Sequence, residues 1–248
     1  MCNFENKIFS KILPARLAAI LPKIISTNQS GFVRGRLISN NYLLAQELIS
    51  NMVSKARGGN VALKLDMMKA YDRVVWPFLL NVLRAFEFGE QWIDMVWRRI
   101  VNVWFSVVVN RSLFGFFKPA GGLRQGDPLS PALFIIGVEV LSRSLNSLPC
   151  YRGFQGFFVK RGCPLVTHLG YANDVLVFSS ANVKSLKLLK RVLTTYEAVS
   201  GQRINAGKSC FLVHPKVCPS KKMTIQRLTG FMYKPFPIKY LGYPFYCG

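Results

Sequence analysis

Two places in this 248-residue sequence put carboxylates at the ends of otherwise apolar stretches. The first is Asp66, which closes the run 61–65 and is followed by Met67-Met68-Lys69-Ala70-Tyr71-Asp72. The second is Tyr171-Ala172-Asn173-Asp174, with apolar residues on both sides. A carboxylate on a buried strand is costly unless it is paired or holds a cation. If the two strands are neighbours, Asp66 and the Asn173-Asp174 turn converge. Their oxygens then suit a hard cation such as Mg²⁺, which binds carboxylates together with substrate phosphates. Two such ions about 3.5–4 Å apart activate an attacking oxygen and stabilise a leaving one in phosphoryl transfer. Taken singly, each acid also has a plainer reading: Asp66 caps the helix that follows, and Asp174 decorates a tight turn. Spacing alone does not choose between them.

A third segment, Gly121-Gly122-Leu123-Arg124-Gln125-Gly126-Asp127-Pro128-Leu129-Ser130-Pro131, lies between the two. Its glycines allow close approach of another molecule, and Pro131 suits the first turn of a helix. Taken by itself, the segment is better read as a rigid loop.

These segments need elements to hold them. The apolar stripe Ile8, Ile12, Leu13, Leu17, Ile20, Leu21 and Ile24 predicts a helix over residues 4–25, kinked or split by Pro14 and Pro22. Residues 28–37 read as loop, 38–56 as an amphipathic helix broken by Gly58-Gly59, and 61–65 as a short buried strand. Helices follow at 76–87 and 90–102, and a hairpin at 104–118 turns around Asn110-Arg111-Ser112. A helix runs from Pro131 to Asn146. A second hairpin covers 154–179, its last strands meeting near Ala172-Asn173. Ser180 or Asn182 caps a helix that stops at Gly201. A strand at 208–213 precedes a Pro-rich tail of little regularity. Hairpins mixed with helices argue for an α+β fold, an antiparallel sheet backed by helices.

Lys and Arg number 33 against 11 Asp and Glu, a formal net charge of +22, while half the residues are hydrophobic. That much apolar material excludes intrinsic disorder. A folded chain with such a field attracts polyanions, nucleic acid first among them, although a merely soluble basic protein also satisfies the count. The cations are spread along the chain, which fits a broad basic groove better than a tail. No run approaches the roughly 18 uncharged apolar residues of a membrane span, since 128–138 ends at Glu139, and no membrane partner is expected. The N-terminus lacks a secretory pattern. The six cysteines contain no Cys-x-x-Cys pair, and reduced, mostly buried thiols of an intracellular protein are expected. Cys210, His214 and Cys218 offer only three ligands, interrupted by Pro215 and Pro219, so no structural zinc is expected there.

Together and in this order, the segments resemble the reverse transcriptase domain of non-LTR (LINE-type) retrotransposons, especially plant elements. Lys11-Ile12-Leu13 through Gln29-Ser30-Gly31-Phe32-Val33-Arg34-Gly35-Arg36 looks like that family's fingers motifs. Leu65 through Val74 matches its first palm motif and Gly122 through Pro131 its second. His168-Leu169-Gly170-Tyr171-Ala172-Asn173-Asp174 stands where the family has a Tyr-Ala-Asp-Asp turn. Ser200 through Asn205 with Lys208-Ser209, and Tyr240-Leu241-Gly242-Tyr243-Pro244, look like the motifs that follow.

The resemblance implies a right-hand polymerase, with residues 1–60 as part of the fingers, 61–215 as palm with part of the fingers, and 216–248 as the start of a thumb connection. Such an enzyme copies an RNA template into DNA from a primer 3′-OH, using deoxynucleotide triphosphates and two Mg²⁺ or Mn²⁺ ions. Carried over, Asp66 and Asp174 bind metal and Tyr71 is a steric gate against a ribose 2′-OH. Gln125 and Gly126 contact the incoming nucleotide and template, and Lys208 faces the leaving pyrophosphate. Arg36 and Lys64 are weaker phosphate-contact candidates, and solvated surface charge is the favoured reading of each. Nuclear residence follows from the family's habit of priming on chromosomal DNA.

The family pattern asks for two aspartates in the turn, and here the first is Asn173. Asn keeps a carbonyl oxygen and loses a full negative charge at a metal ligand. Even losses behind a ligand cost roughly 10–100-fold, so a catalytically impaired copy is expected. The chain is also expected to lack the upstream endonuclease and most of a thumb, which points the same way. The alternative is a non-catalytic nucleic-acid-binding relic that keeps the groove without the chemistry.

Overall fold

The computed structural model describes residues 4–53 and 58–247. Its helices, in chain order, are α1 (Phe4–Ile24), α2 (Ile38–Ser50), α3 (Trp76–Ala85), α4 (Glu90–Val101), α5 (Ser130–Asn146), α6 (Val183–Ser200) and α7 (Pro219–Thr229). The strands are β1 (Asn60–Asp66), β2 (Phe105–Val109), β3 (Ser112–Phe117), β4 (His168–Tyr171), β5 (Asp174–Ser180), β6 (Cys210–Leu212), β7 (Met232–Tyr233), β8 (Ile238–Tyr240) and β9 (Tyr243–Phe245). Five of them form one sheet in the order β4-β5-β1-β6-β7, with β1 antiparallel to both neighbours and β7 parallel to β6.

The alternation of β1 divides the interior into two cores. Val61, Leu63 and Leu65 meet the helix layer, where α5 and α6 bring Leu133, Leu141, Leu186 and Leu193. Ala62 faces the other way, toward Leu176, Phe178 and Leu212 of the neighbouring strands and Ile49, Tyr240 and Phe245 above them. This is the α+β arrangement expected, an antiparallel palm-type sheet backed by helices. α6 begins where Asn182 accepts a hydrogen bond from the Ser185 N–H at 2.7 Å and ends at Gly201 with φ 75°.

The structure departs from the sequence reading in several places. α1 runs unbroken through Pro14 and Pro22. An interior proline costs about 3 kcal/mol, and here the burial of Leu13, Leu17 and Leu21 against the core offsets it. The helix read at 38–56 stops at Ser50 and continues as a single tighter turn to Val53; residues 54–56 lie outside the described residues. Residues 154–167 form no strand, so the second hairpin is only β4 and β5. The tail is ordered, because α7, β7 and the β8–β9 pair find apolar partners: Ile225 and Phe231 enter the first core, Ile238 and Phe245 the second. Cys150, Cys163 and Cys218 are exposed rather than buried. The stretch Ser130–Cys150 is, against expectation, long and apolar enough to cross a membrane; 61% of that window is packed inside the fold.

Candidate active site

β1 and β5 pair antiparallel along their full length, so Asp66, the last residue of β1, stands directly opposite Asp174, the first of β5. Leu65 and Val175 point into the helix-backed core, and both carboxylates therefore point to the opposite face. Burial pushes the Asp174 carboxyl up from its ordinary value; the Lys64 ammonium opposes the shift and the charge of Asp66 adds to it. Burial also pushes up the Tyr240 phenol, and the charge on Asp174 adds to that. Lys64 itself donates to the Lys239 carbonyl at 2.9 Å.

Each acid is fixed by a separate piece of chain. The backbone N–H of Asp66 donates to Ser209 Oγ at 3.0 Å, and its carbonyl accepts from the Asn205 N–H at 2.8 Å. The Met68 N–H donates to the Arg203 carbonyl at 2.8 Å, and the Gln202 amide donates to the Ala70 carbonyl at 2.7 Å. The loop 203–209 is thus laced to the end of β1, which places exposed Lys208 next to the residue holding Asp66.

The Asn173-Asp174 turn is held from the other side. Ala172 has φ 53°, a left-handed backbone that costs a side-chain-bearing residue about 1–2 kcal/mol. Gln29, 3% exposed, grips it with one amide: its oxygen accepts from the Ala172 N–H at 2.9 Å and its nitrogen donates to the Ala172 carbonyl at 3.2 Å. The same oxygen accepts from the Gly31 N–H at 2.8 Å. A Cβ at Gly31 would lie 2.3 Å from the Ala172 nitrogen, so only glycine allows this approach. Asn41 of α2 donates to the Gly170 carbonyl at 2.8 Å and accepts from the Tyr240 hydroxyl at 3.2 Å. At the far end of β4, buried His168 lies 2.7 Å from Ser142 Oγ of α5 and 2.9 Å from Thr167 Oγ1. Asn173 sits half-buried at the tip.

The Gly121–Asp127 loop packs against the segment after β1. The Gly122 N–H donates to the Val74 carbonyl at 2.9 Å, the Leu123 N–H to the Tyr71 carbonyl at 2.8 Å, and Trp76 Nε1 to the Gly122 carbonyl at 2.7 Å. Gly122 has φ 86°, and a Cβ there would meet the Asp72 carbonyl oxygen at 2.7 Å. Asp127 pairs with Arg124 at 2.8 Å and accepts from the Leu129 N–H at 2.9 Å, which makes the approach to α5 rigid. Gln125 and Gly126 remain exposed. A cavity of about 540 Å³ opens here, walled by Asp72, Arg99, Gln125 and Leu133; it lies beside the two acids rather than over them. Tyr71 stacks on Phe134 of α5, ring centroids 4.7 Å apart, and burial raises its phenol.

The sequence-derived residues therefore sort into one assembled group and one outlier. Asp66, Asn173 and Asp174 share a corner, Lys208 rides on the loop that holds Asp66, and Tyr71, Gln125 and Gly126 belong to the adjoining loop. Arg36 does not join them. Its guanidinium donates to the carbonyls of Pro22, Ile25, Ser26 and Gln29, closing the C-terminal end of α1. Those four bonds occupy both terminal nitrogens of the guanidinium, so Arg36 is removed from the nucleotide-binding set. Gln29, Asn41 and Ser209 were missed as buttresses. No local pattern marks them, because their partners lie more than a hundred residues away.

Residues 1–245 match the family model for reverse transcriptase (RNA-dependent DNA polymerase). The chain belongs to this reverse transcriptase family. It is 30% identical over 214 residues to the transposon TX1 uncharacterized 149 kDa protein of Xenopus laevis, covering 86% of this chain and 16% of that protein. It is 27% identical over 235 residues to the Pol polyprotein of the type-2 retrotransposable element R2DM of Drosophila melanogaster, covering 92% of this chain and 21% of that protein. Reverse transcriptase structure is shared more widely still. A telomerase structure from Candida albicans superposes with a TM-score of 0.60 at 14% identity, over 85% of this chain and 34% of that one. The reverse transcriptase domain here thus spans a minor part of the length of these relatives. Members of the family use divalent metal ions, and two facing carboxylates with hard oxygens are a donor set that suits them.

Proposed function

We propose that this chain is the palm-centred part of an RNA-directed DNA polymerase from a plant-type non-LTR retrotransposon, and that Asn173 has impaired its chemistry. The observation that carries the reading is the register that sets Asp66 opposite Asp174 at the open end of the sheet. Burial first, and the charge of Asp66 in smaller part, raise the Asp174 carboxyl, and a dication bound by both oxygens offsets the burial and relieves the repulsion. Asp66 and Asp174 would hold Mg²⁺ or Mn²⁺, which when bound neutralises charge on the transferring phosphate. Family members carry a third carboxylate at the position of Asn173. Two carboxylates and one amide oxygen supply less negative charge than a pair of dications needs. Among the described residues no cluster of three or more acidic, His or Cys side chains offers a substitute.

The chain's own groups have distinct tasks in this scheme. Tyr71, fixed by its stack on Phe134, crowds the sugar of an incoming deoxynucleotide triphosphate. Gln125 and Gly126 present an exposed edge to that nucleotide and the template base. Lys208 donates toward the leaving pyrophosphate. The RNA template and DNA primer meet the acids at the end of the β1–β5 pair, beyond the elements that cover that face of the sheet, drawn there by the net positive charge.

Primer extension on a primed RNA template with Mg²⁺, comparing this protein with Asn173→Asp, tests the reading. The substitution is expected to raise synthesis at least about tenfold, and Asp66→Asn added to it is expected to abolish the gain. Equal synthesis with and without Asn173→Asp would sink the impaired-enzyme reading. Binding of primed template by both proteins with synthesis by neither would favour the second reading, a nucleic-acid-binding relic, which the loss of charge at Asn173 supports.

A further inference from the structure

The helix layer behind the sheet carries a surface that the polymerase reading does not use. Asp66 and Asp174 point to the Tyr240 side, whereas α5 and α6 cover the opposite face. A duplex seated at the acids therefore cannot reach the outer surface of those helices. Between α5 and α6 runs an open groove of about 240 Å³. Its floor is apolar, from Val140, Leu188 and Val192, and Tyr151 and Arg191 line it together with Thr195. Tyr151 is 50% exposed, so the ring presents surface to solvent.

Charge around this groove has one sign. Lys184, Lys187 and Arg191 lie at i, i+3 and i+7 of α6, an exposed stripe on one side of the helix. Exposed Arg152 adds a cation where the Lys184 stem lies against Gly153. Among the described residues, none of Lys184, Lys187 and Arg191 makes an ion pair. No acid lines the groove. The only acid after Asp174 is Glu197, and its carboxylate accepts from the Ile204 N–H at 2.7 Å. Helices at a protein surface normally mix both signs; in α6, Lys184, Lys187, Lys190 and Arg191 stand against the single acid Glu197.

An exposed ring, an apolar floor and cations without counter-charge form the combination that holds single-stranded nucleic acid regardless of sequence. In a duplex the base faces are already stacked on one another, so Tyr151 could not reach them. The volume falls below the roughly 300–1,000 Å³ of a pocket that engulfs a small ligand, leaving room for a base and not for a cofactor. We propose that the α5–α6 groove is a second nucleic-acid site, on the back of the palm, which holds a single-stranded RNA segment by stacking on Tyr151 and pairing its phosphates with Lys184, Lys187 and Arg191. The choice of RNA over DNA rests on the proposed function, in which the template is unpaired outside the hybrid at the acids; the groove and its charge do not.

The test measures binding of a short fluorescent oligouridylate to the full chain already saturated with primed template. The oligouridylate is expected to bind alongside the primed template and to weaken steeply with salt. Tyr151→Ala and the pair Lys187→Glu with Arg191→Glu are each expected to weaken it about tenfold, the scale of one lost stacking contact. All three side chains are on the surface, so folding should persist, and unchanged primed-template affinity in the variants verifies it. Unaltered oligouridylate binding by both variants, its displacement by excess primed template, or tighter binding of oligothymidylate than of oligouridylate would each overturn the proposal. Binding of oligouridylate through the groove by a chain that fails to bind primed template would instead count against the polymerase reading and leave the groove standing.

Discussion

The corner that carries Asp66 and Asp174 and the β2–β3 hairpin are built on opposite plans. At the corner every strand end is tied to a distant segment: β1 to the 203–209 loop, the 171–174 turn to Gln29 and Gly31, β4 to α2 and α5. The hairpin exposes its apolar side chains, with Val108 65% and Phe116 75% exposed, and is held chiefly by its own pairing. Both regions are rich in apolar residues, yet only the first converts them into a fixed geometry. The difference shows that precision in this molecule comes from polar buttresses closing over a strained turn, not from hydrophobic content. Asn173, at the tip of the turn, sits on a scaffold whose supports are in place.

If that contrast is right, perturbing the corner should be expensive and perturbing the hairpin cheap. The largest effect should come from acid. Burial holds His168 neutral down to a pKa of about 3, whereas an unfolded chain protonates it near 6.5. Between those values the unfolded state binds more protons, so stability is full above about 6.5 and is lost as the pH falls toward 3. The loss should reach a few kcal/mol, on the order of 1.4 kcal/mol for each pH unit crossed. Denaturant midpoints recorded against pH should show a shallower acid slope in His168→Gln; an identical slope would remove His168 from the account.

Next in size is Gly31→Val, which drives a side chain into the Ala172 backbone and should cost about 3 kcal/mol or more of unfolding free energy. Gln29→Leu keeps the volume and deletes the amide, leaving the Ala172 N–H, its carbonyl and the Gly31 N–H without their partner. A loss of about 2 kcal/mol is expected. In the Asn173→Asp background it should also lower primer extension more than it lowers primed-template binding, since the turn loses its position and not its charge. The smallest change belongs to the hairpin: Phe116→Ser should move stability by no more than about 0.5 kcal/mol. A cost above 2 kcal/mol there would show that the hairpin is buried against something, and would erase the comparison.

Much of this was legible in the linear chain. The strand ending in Asp66, the turn at Ala172-Asn173, the Asn182 cap and the Gly201 stop each depend on neighbours within a few residues, which period and turn chemistry report directly. The motif order likewise identified the acids and their neighbours. Arg36 misled because a cation beside a glycine in a loop looks the same whether its donors face phosphate or the carbonyls of a helix end; only the path of α1 decides. The tail misled because its prolines suggest irregular chain, while its regularity comes from docking on two cores assembled elsewhere.

The sequence by itself determined which residues carry charge, which segments are extended or helical, and that an uncharged Asn173 stands beside Asp174, because these are properties of single residues and short windows. The tertiary structure alone decided that Asp66 faces Asp174, that Gln29 grips Ala172 and that a cationic groove lies behind the sheet. Those facts depend on strand register and on contacts across more than a hundred residues, where the energy of closing the chain is repaid only when the whole sheet forms.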